Sequence, residues 1–335
     1  MVVYIVKRLL LILPTVIAVT LVTFFISHIV PADPAQVAAG LRAGPEQVEH
    51  LRKEMGLNKP IYVQYGIYLK GLLTGNLGRS LRTRQPVSRE VLRYLPATVE
   101  LALATMFVLV AIGIPLGVLS SGWRGRGSDL LLRGFSVGVT SMPAFWVALL
   151  LQLLFYRHLG ILPAVGRITR GLGLQRITGF FVLDSVITGN GTALGSSLLH
   201  LILPVFALVA GRLAIIVRMT RICMLEVMGQ EYILTARAKG LNELLVVYKH
   251  ALKNAAIPIV TELGLQFGWL LGGTILVEAI FSWPGMGLYA IDSILQLDFM
   301  PIMAITLIYT LSFVVVNTLI DLSYAALNPQ IRYGK

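Results

Sequence analysis

Residues 98–120 read TVELALATMFVLVAIGIPLGVLS, an apolar run that, wound as a helix at about 1.5 Å per residue, covers the roughly 30 Å hydrocarbon core of a bilayer. In lipid no water satisfies exposed backbone N–H and C=O groups, so such a run stands only as a helix whose hydrogen bonds are internal. Five more runs share the pattern: about Leu9–Ile29, Gly134–Phe155, Ser197–Val217, Ile257–Phe281 and Pro301–Tyr324. Across the 335 residues, 56% are hydrophobic and 13% charged, with a mean hydropathy of +0.79, where a soluble domain carries about 25% charged residues. The alternation expected of a membrane β-barrel is absent. The expectation is an all-α integral membrane protein, a bundle of six transmembrane helices.

The first run follows Lys7 and Arg8 and is longer than the roughly 7–15 residues of a signal-peptide core, so it reads as an uncleaved span. With the N-terminus inside, the inner segments hold Lys7 and Arg8; Arg124, Arg126 and Arg133; Arg218, Arg221, Arg237, Lys239, Lys249 and Lys253; and Arg332 and Lys335. The outer loop between the last two spans has no Lys or Arg, only acids such as Glu278, Asp292 and Asp298. The positive-inside rule then places both termini in the cytoplasm. The first outer loop, about 30–96, is also basic, but long loops cross largely regardless of charge. Within it Pro45 starts and Gly56 stops one short amphipathic helix, and Pro60 and Gly75 bracket a second. The chain divides accordingly into 1–30, the first span; 31–97, a small external helical subdomain; and 98–335, a five-helix core with a cytoplasmic loop at about 218–256. The second outer loop, about 156–195, is rich in Gly and Thr and carries Arg167, Arg170 and Arg176; its pattern specifies no structure.

The net charge of +12 is distributed among loops rather than along one soluble face, and no aromatic-interleaved basic motif accompanies it, which excludes nucleic acid as a partner. Cys223 is the single cysteine, so neither an intrachain disulfide nor a thiolate metal cluster forms, and a small packing residue is the reading.

The most informative stretch is 218–256, RMTRICMLEVMGQEYILTARAKGLNELLVVYKHALKNAA. Leu225, Met228, Tyr232, Thr235, Ala236 and Lys239 recur at helical spacing, Gly240 supplies a stop, and Asn242 suits the N-cap of a second helix. Ala236 and Ala238 are read as small surface dents beside Gly240 that let another protein approach the turn, with Arg237 and Lys239 as charged contacts. An amphipathic hairpin resting on anionic headgroups explains the same residues, and the pattern by itself does not choose.

The segment Glu231-Tyr232-Ile233-Leu234-Thr235-Ala236-Arg237-Ala238-Lys239-Gly240-Leu241, continued by His250-Ala251-Leu252-Lys253-Asn254-Ala255 and Pro258, resembles the coupling loop of importer permeases in the dipeptide, oligopeptide and nickel group. Pro31-Ala32-Asp33-Pro34, Gly75-Asn76-Leu77-Gly78-Arg79-Ser80, Met142-Pro143-Ala144-Phe145, Ile280-Phe281-Ser282-Trp283-Pro284-Gly285-Met286-Gly287 and Asn328-Pro329-Gln330-Ile331-Arg332 are similar to further group signatures in the expected order. Leu234 and Thr235 stand where the general importer motif has glutamate and alanine, a departure the peptide group shares. Asp298-Phe299-Met300-Pro301 carries one residue more than the group's Asp, aromatic, Pro. Thr178-Gly179-Phe180-Phe181-Val182-Leu183-Asp184 resembles the dipeptide branch.

The resemblance implies an ATP-binding-cassette importer permease in a bacterial inner membrane, moving dipeptides or short peptides inward by alternating access. It implies two ATPase subunits, a homologous second permease and an external peptide-binding protein. Glu231, Thr235, Ala236, Arg237, Ala238, Lys239, Gly240, Leu241 and Asn242 would then form the ATPase-coupling contact. No GxxxxGK[ST] loop is present, so ATP and magnesium belong to the partners and this chain binds no cofactor or metal and catalyses nothing. Nickel complexes or glutathione are alternative cargoes in the same group; an ion-coupled secondary transporter or channel is the alternative of another class, whose intramembrane carboxylates and inverted repeats are not found.

Within the fifth span Gly264, Gly268 and Gly272 line one helix face and permit close helix contact, as packing or as a path wall. Asp321, near the inner end of the last span, is either an acid of the path or a structural pair with Asn317, Tyr324, Arg212 or Arg332. Glu262 reads as a headgroup-level residue and His200 as a packing or interfacial one; no HExxH pair or spaced nucleophile and histidine suggests a membrane enzyme.

Overall fold

The computed structural model describes residues 2–29, 34–40, 43–122, 138 and 142–327. The sequence readings at residues 31–33, Arg124, Arg126, Arg133, most of the start of the third run, Asn328–Arg332 and Lys335 lie outside the described residues, as do the side chains of Lys7, Arg8 and Tyr324. Helices in chain order are α1 Val2–Ile29, α2 Pro34–Ala39, α3 Pro45–Glu54, α4 Ile61–Leu73, α5 Val87–Ser121, α6 Ala144–His158, α7 Phe181–Ile187, α8 Gly191–Met228, α9 Glu231–Ala238, α10 Glu243–Gly273, α11 Ile275–Ile280, α12 Met286–Leu295 and α13 Phe299–Leu327. Among the described residues there is no strand beyond one isolated bridge between Arg79 and Pro86.

Among the described residues five helices, α1, α5, α8, α10 and α13, are long and apolar enough to cross a membrane. α6 is shorter: Pro143 before it is extended (φ −60, ψ 139), so the helix starts at Ala144. The fifth run is interrupted where one span was expected: α10 ends at Gly273, and after Thr274 the chain restarts as α11. Two adjacent glycines weaken the helix there, and the Thr274 hydroxyl donates to the Glu278 carboxylate (2.8 Å). Three π-helical turns, Leu109–Gly113, Gln152–His158 and Val246–Ala251, sit within α5, α6 and α10; such turns widen a helix locally and recur at functional sites.

The chain divides into two compact units, Met1–Thr98 with Pro284–Val314, and Val99–Trp283 with Val315–Lys335. In the first, α3 starts at Pro45 and stops at Gly56 (φ +69), and α4 runs from Ile61 to Leu73 ahead of Gly75 (φ +75), as the proline and glycine punctuation predicts. α4 lies against α1 through Tyr65 Oη and Thr20 Oγ1 (3.1 Å), with Phe24 packed on the Tyr65 and Tyr68 rings. Val87, Val91, Met286, Tyr289, Ala290, Ala304 and Ile305 form this unit's buried core. Its polar ties are Met286 N–H to Thr98 Oγ1 (2.8 Å), Tyr289 Oη donating to Glu90, and Ser80 Oγ donating to Asp298 (2.6 Å).

The second unit is held by close helix crossings. A Cβ placed on Gly117 would fall 2.4 Å from Thr220 Cβ, and one on Gly113 2.8 Å from Ile216 Cγ2. α5 and α8 therefore approach at a distance that only glycine permits, the small-residue packing by which helices associate when hydrophobic burial offers no net drive in lipid.

Candidate coupling site

The site grows from the end of α8. Gly229 closes that helix and Gln230 is extended (φ −80, ψ 148), so a new helix must start at Glu231. The continuous helical spacing expected from Leu225 to Lys239 is thus broken in the middle, and the eight residues of α9 leave the axis of α8. Gly240 then takes φ +74, with its N–H on Arg237 O (2.9 Å) and Leu241 N–H on Ala236 O (3.4 Å). These bonds satisfy carbonyls left free at a helix end. Asn242 caps α10 as its sequence position implied, its Oδ1 accepting Leu244 N–H at 2.9 Å.

Each expected residue takes a definite side of this turn. Glu231, Thr235, Arg237, Ala238, Lys239, Gly240, Leu241 and Asn242 are exposed. Ala236 is buried at 7% exposure, which corrects its reading as a surface dent. One turn of helix separates Ala236 from Ile233, itself fully buried, and the two face inward together. Their bed is Val118 of α5, Cys223 and Met224 of α8, and Val246, Ala251, Ala255 and Ile259 of α10. Full burial of an aliphatic side chain such as Ile233 contributes about 1.5–3 kcal/mol, enough to seat a helix too short to persist alone. Cys223 packs here as a small apolar group, as read.

The opposite side is apolar and open. Leu234 is 58% exposed and Leu244 68%, with Tyr232, Leu241, Leu245 and Tyr248 also exposed. Between them, Arg237 Nη2 and Nε donate to the two Glu243 oxygens (2.6 and 3.1 Å). That bidentate pair, which the sequence reading missed, joins the end of α9 to the start of α10 across Gly240 and fixes the angle of the turn. The signal available was Arg237 and Glu243 flanking a glycine stop and an Asn cap.

The second set of expected residues is only partly drawn together. A Cβ on Gly264 would lie 2.1 Å from Ile320 Cδ1, so this glycine admits α13 to α10 next to Asp321. Gly268 is buried, whereas a Cβ on Gly272 meets no atom within 4 Å. Arg212, one of the partners considered for Asp321, donates to Gln266 Oε1 (2.6 Å), and Gln266 Nε2 donates to Glu262 (2.7 Å). Glu262 is therefore the end of a polar chain between α8 and α10. His200 is buried with Nδ1 at 2.7 Å from Ser196 O, a packing role as read. No group of three metal-ligating side chains occurs among the described residues.

A buried cluster organises the second outer loop, about 156–195, whose structure the pattern left unspecified. Arg167, 5% exposed, donates to Glu100 and to Gly179 O (2.9 Å), and its guanidinium lies 3.8 Å from the Phe181 ring and 5.5 Å from that of Trp283. Glu100 also accepts Val182 N–H at 2.8 Å. Burial draws Arg167 below the ordinary guanidinium range, and Glu100 works in the opposite direction. Asp184 is fully buried; burial acts to raise its carboxyl, but hydrogen bonds from Thr178, Gly179 and Ile177 outweigh it and the net displacement is downward. The sequence signal was Glu100, a lone acid in an apolar run, which demands a cation.

These features define a helical membrane protein with a small, partly apolar turn fixed to the ends of two spans. Residues 113–333 match the family of binding-protein-dependent transport system inner membrane components, and residues 1–102 match the N-terminal part of such components. The chain belongs to this family of transport-system membrane subunits. It is 44% identical to the dipeptide transport system permease protein of Alkalihalophilus pseudofirmus, over 99% of this chain and 100% of that one. The dipeptide transport system permease protein of Escherichia coli K12 is 42% identical over 99% of both chains. The glutathione transport system permease protein of Pectobacterium atrosepticum is 39% identical over 98% of this chain and 99% of that one.

Proposed function

We propose that this chain is the membrane subunit of an ATP-driven importer that moves dipeptides or short peptides into the cytoplasm by alternating access. The observation that carries the substrate class is full-length likeness, 44% identity over 99% of the chain, to a permease named for dipeptide transport. The α9 turn supports the coupling: its inward face is wedged among α5, α8 and α10, and its outward leucines and tyrosines offer a partner an apolar contact. In this reading two ATPase subunits, which bind ATP and magnesium, grip the turn from Glu231 to Asn242. Their closure moves α9 and, through Val118 and Met224, the α5–α8 crossing, with the nearby π-helical turns absorbing the displacement.

The chain would cross the bacterial inner membrane six times with both termini cytoplasmic. Residues 31–97 form an external helical subdomain, and a homologous second permease completes the path beside Gly264, Gly268, Gly272 and Asp321. An external binding protein delivers the cargo. Glutathione, itself a short peptide, is the second reading, favoured by the 39% identity to a glutathione permease.

The test is ATP-driven uptake by the complex reconstituted with its partners, measured with a labelled dipeptide panel and with glutathione. A Cβ on Gly240 meets no atom within 4 Å, but Gly240→Val opposes φ +74 and is expected to leave ATP hydrolysis running while uptake falls. Normal uptake by that variant would count against the coupling role, and uptake driven by an ion gradient without the ATPases would sink the importer reading.

A further inference from the structure

A guanidinium stands within the membrane-crossing helix α8 without a carboxylate of its own. Arg212 is half-buried, and among the described residues its one hydrogen bond runs from Nη1 to Gln266 Oε1 of α10 (2.6 Å). Gln266, 6% exposed, in turn donates from Nε2 to Glu262 (2.7 Å). The amide is engaged at both ends, so it holds cation and anion apart instead of letting them close on each other. Among the described residues neither Arg212 nor Glu262 enters an ion pair. Charges at membrane depth that no partner neutralises mark the routes of ions and substrates.

Both groups keep binding capacity on the side away from the amide. The Nε and Nη2 edge of Arg212 is not sealed in protein and meets no acceptor among the described residues. Such an edge, two parallel N–H groups, matches the two oxygens of a carboxylate. A Cβ on Gly273 would lie 3.2 Å from Nη2, so any larger residue there would crowd it. Glu262 is likewise half-buried, with one oxygen uncommitted. Beside the polar chain, Leu265, Trp269 and Gly272 follow one another at helical spacing as an open stripe of α10: Leu265 and Trp269 are exposed, and a Cβ on Gly272 meets no atom within 4 Å. A stripe turned to lipid would not carry a guanidinium and a carboxylate along its edge, so this open side belongs to a path.

Spacing selects the ligand. Two hydrogen bonds and the width of one amide set the Arg212 guanidinium and the Glu262 carboxylate no more than about 8 Å apart. An extended chain advances at most about 3.3–3.6 Å per residue, so the ammonium and carboxylate of a dipeptide stand about 7 Å apart. Laid along Gln266, a zwitterionic dipeptide meets each of its charges with the opposite one, whereas an extended tripeptide overshoots by one residue step. A lone anion, whether a lipid phosphate or a neighbouring carboxylate, would engage Arg212 and leave Glu262 unused.

We propose that Arg212 and Glu262, set apart by Gln266, form a site for a zwitterionic dipeptide within the membrane path, Arg212 taking its C-terminal carboxylate and Glu262 its N-terminal ammonium; the proposal rests on the importer reading above. The assembled complex, without its binding protein and both nucleotide-free and ATP-bound, would be irradiated with alanyl-photoleucine and the cross-links located by mass spectrometry. They should fall on residues 262–273. Alanyl-alanine should displace them at about one tenth of the concentration needed for its C-terminal amide, its N-acetyl form or trialanine. Arg212→Gln should abolish the discrimination against the amide while keeping that against the N-acetyl form, and Glu262→Gln should do the reverse; a merely structural role gives no such crossing. Where a variant fails to assemble, the wild-type competition decides. Cross-links found only elsewhere, or competition blind to either end or to length in both nucleotide states, overturn the proposal. So does loss of the second permease from R212Q together with competition blind to the amide, which would assign the arginine to a contact between permeases. A wild-type complex that takes up no dipeptide when given its binding protein and ATP would instead remove the importer reading itself.

Discussion

Replacing Ile233 by Ala and, separately, its neighbour Leu234 by Ala distinguishes the two faces of α9. Ile233 is fully buried among Val118, Met224, Val246 and Ile259, so its truncation removes three carbons and leaves a cavity in a cluster shared by three spans. Such changes destabilise by about 2–5 kcal/mol, and seating one isoleucine contributes about 1.5–3 kcal/mol, so the substitution removes most of what holds eight residues in place. Leu234, 58% exposed, loses almost no packing, and its substitution should change stability by no more than about 0.5 kcal/mol. The assay is thiol labelling of Cys223, buried in the same cluster as Ile233, in the purified subunit, read beside ATP-driven uptake by the assembled complex. I233A should expose the module to labelling in the isolated subunit. L234A should label as the parent does yet lower uptake, because the residue it truncates faces the partner. Equal labelling of the two variants would refute the assigned orientation of α9, and normal uptake by L234A would refute the use of its outer face.

Arg167→Ala leaves Glu100 buried without its cation and should lower stability by about 3–5 kcal/mol, seen as a fall in melting temperature; lysine should not restore it, because the guanidinium both donates twice and lies against Phe181. The Asp184 carboxyl titrates below its ordinary value in the fold, so its stabilisation is full above the unfolded carboxylate range near pH ~4 and is lost as pH falls through the lower folded value. Trp283 fluorescence followed from pH 6 to pH 2 should show that loss, and the acid dependence should flatten in Asp184→Asn. Gly264→Ala should destabilise by about 1–3 kcal/mol through contact with Ile320, and Ile320→Ala in the same chain should recover at least part of the loss in a double-mutant cycle.

The legible parts of this molecule are those set by local chemistry. Proline and glycine bracket α3 and α4 because each constrains its own backbone, and Asn242 caps α10 because the cap bond closes within three residues. Gly240 stops α9 for the same local reason. The Leu225–Lys239 periodicity misled because a single extended residue, Gln230, interrupts a pattern that continues on either side. Which side of α9 faced inward was likewise hidden, since Ile233 and Leu234 are equally apolar and only the bed supplied by α5, α8 and α10 distinguishes them.

Run length and the insolubility of bare backbone in lipid determined, from sequence alone, that the chain is a helical membrane protein, and the order of short motifs placed it among transport-system subunits. Only the tertiary structure decided which glycines are contact points. Gly264, Gly113 and Gly117 meet side chains while Gly272 meets none, because a close approach is a property of two helices and not of one. It alone paired Arg167 with Glu100, 67 residues apart, and aimed the arginines of residues 79–93 outward while turning Glu90 and Asp298 in. Charge is written in the sequence, but whether it is neutralised depends on distances that folding sets.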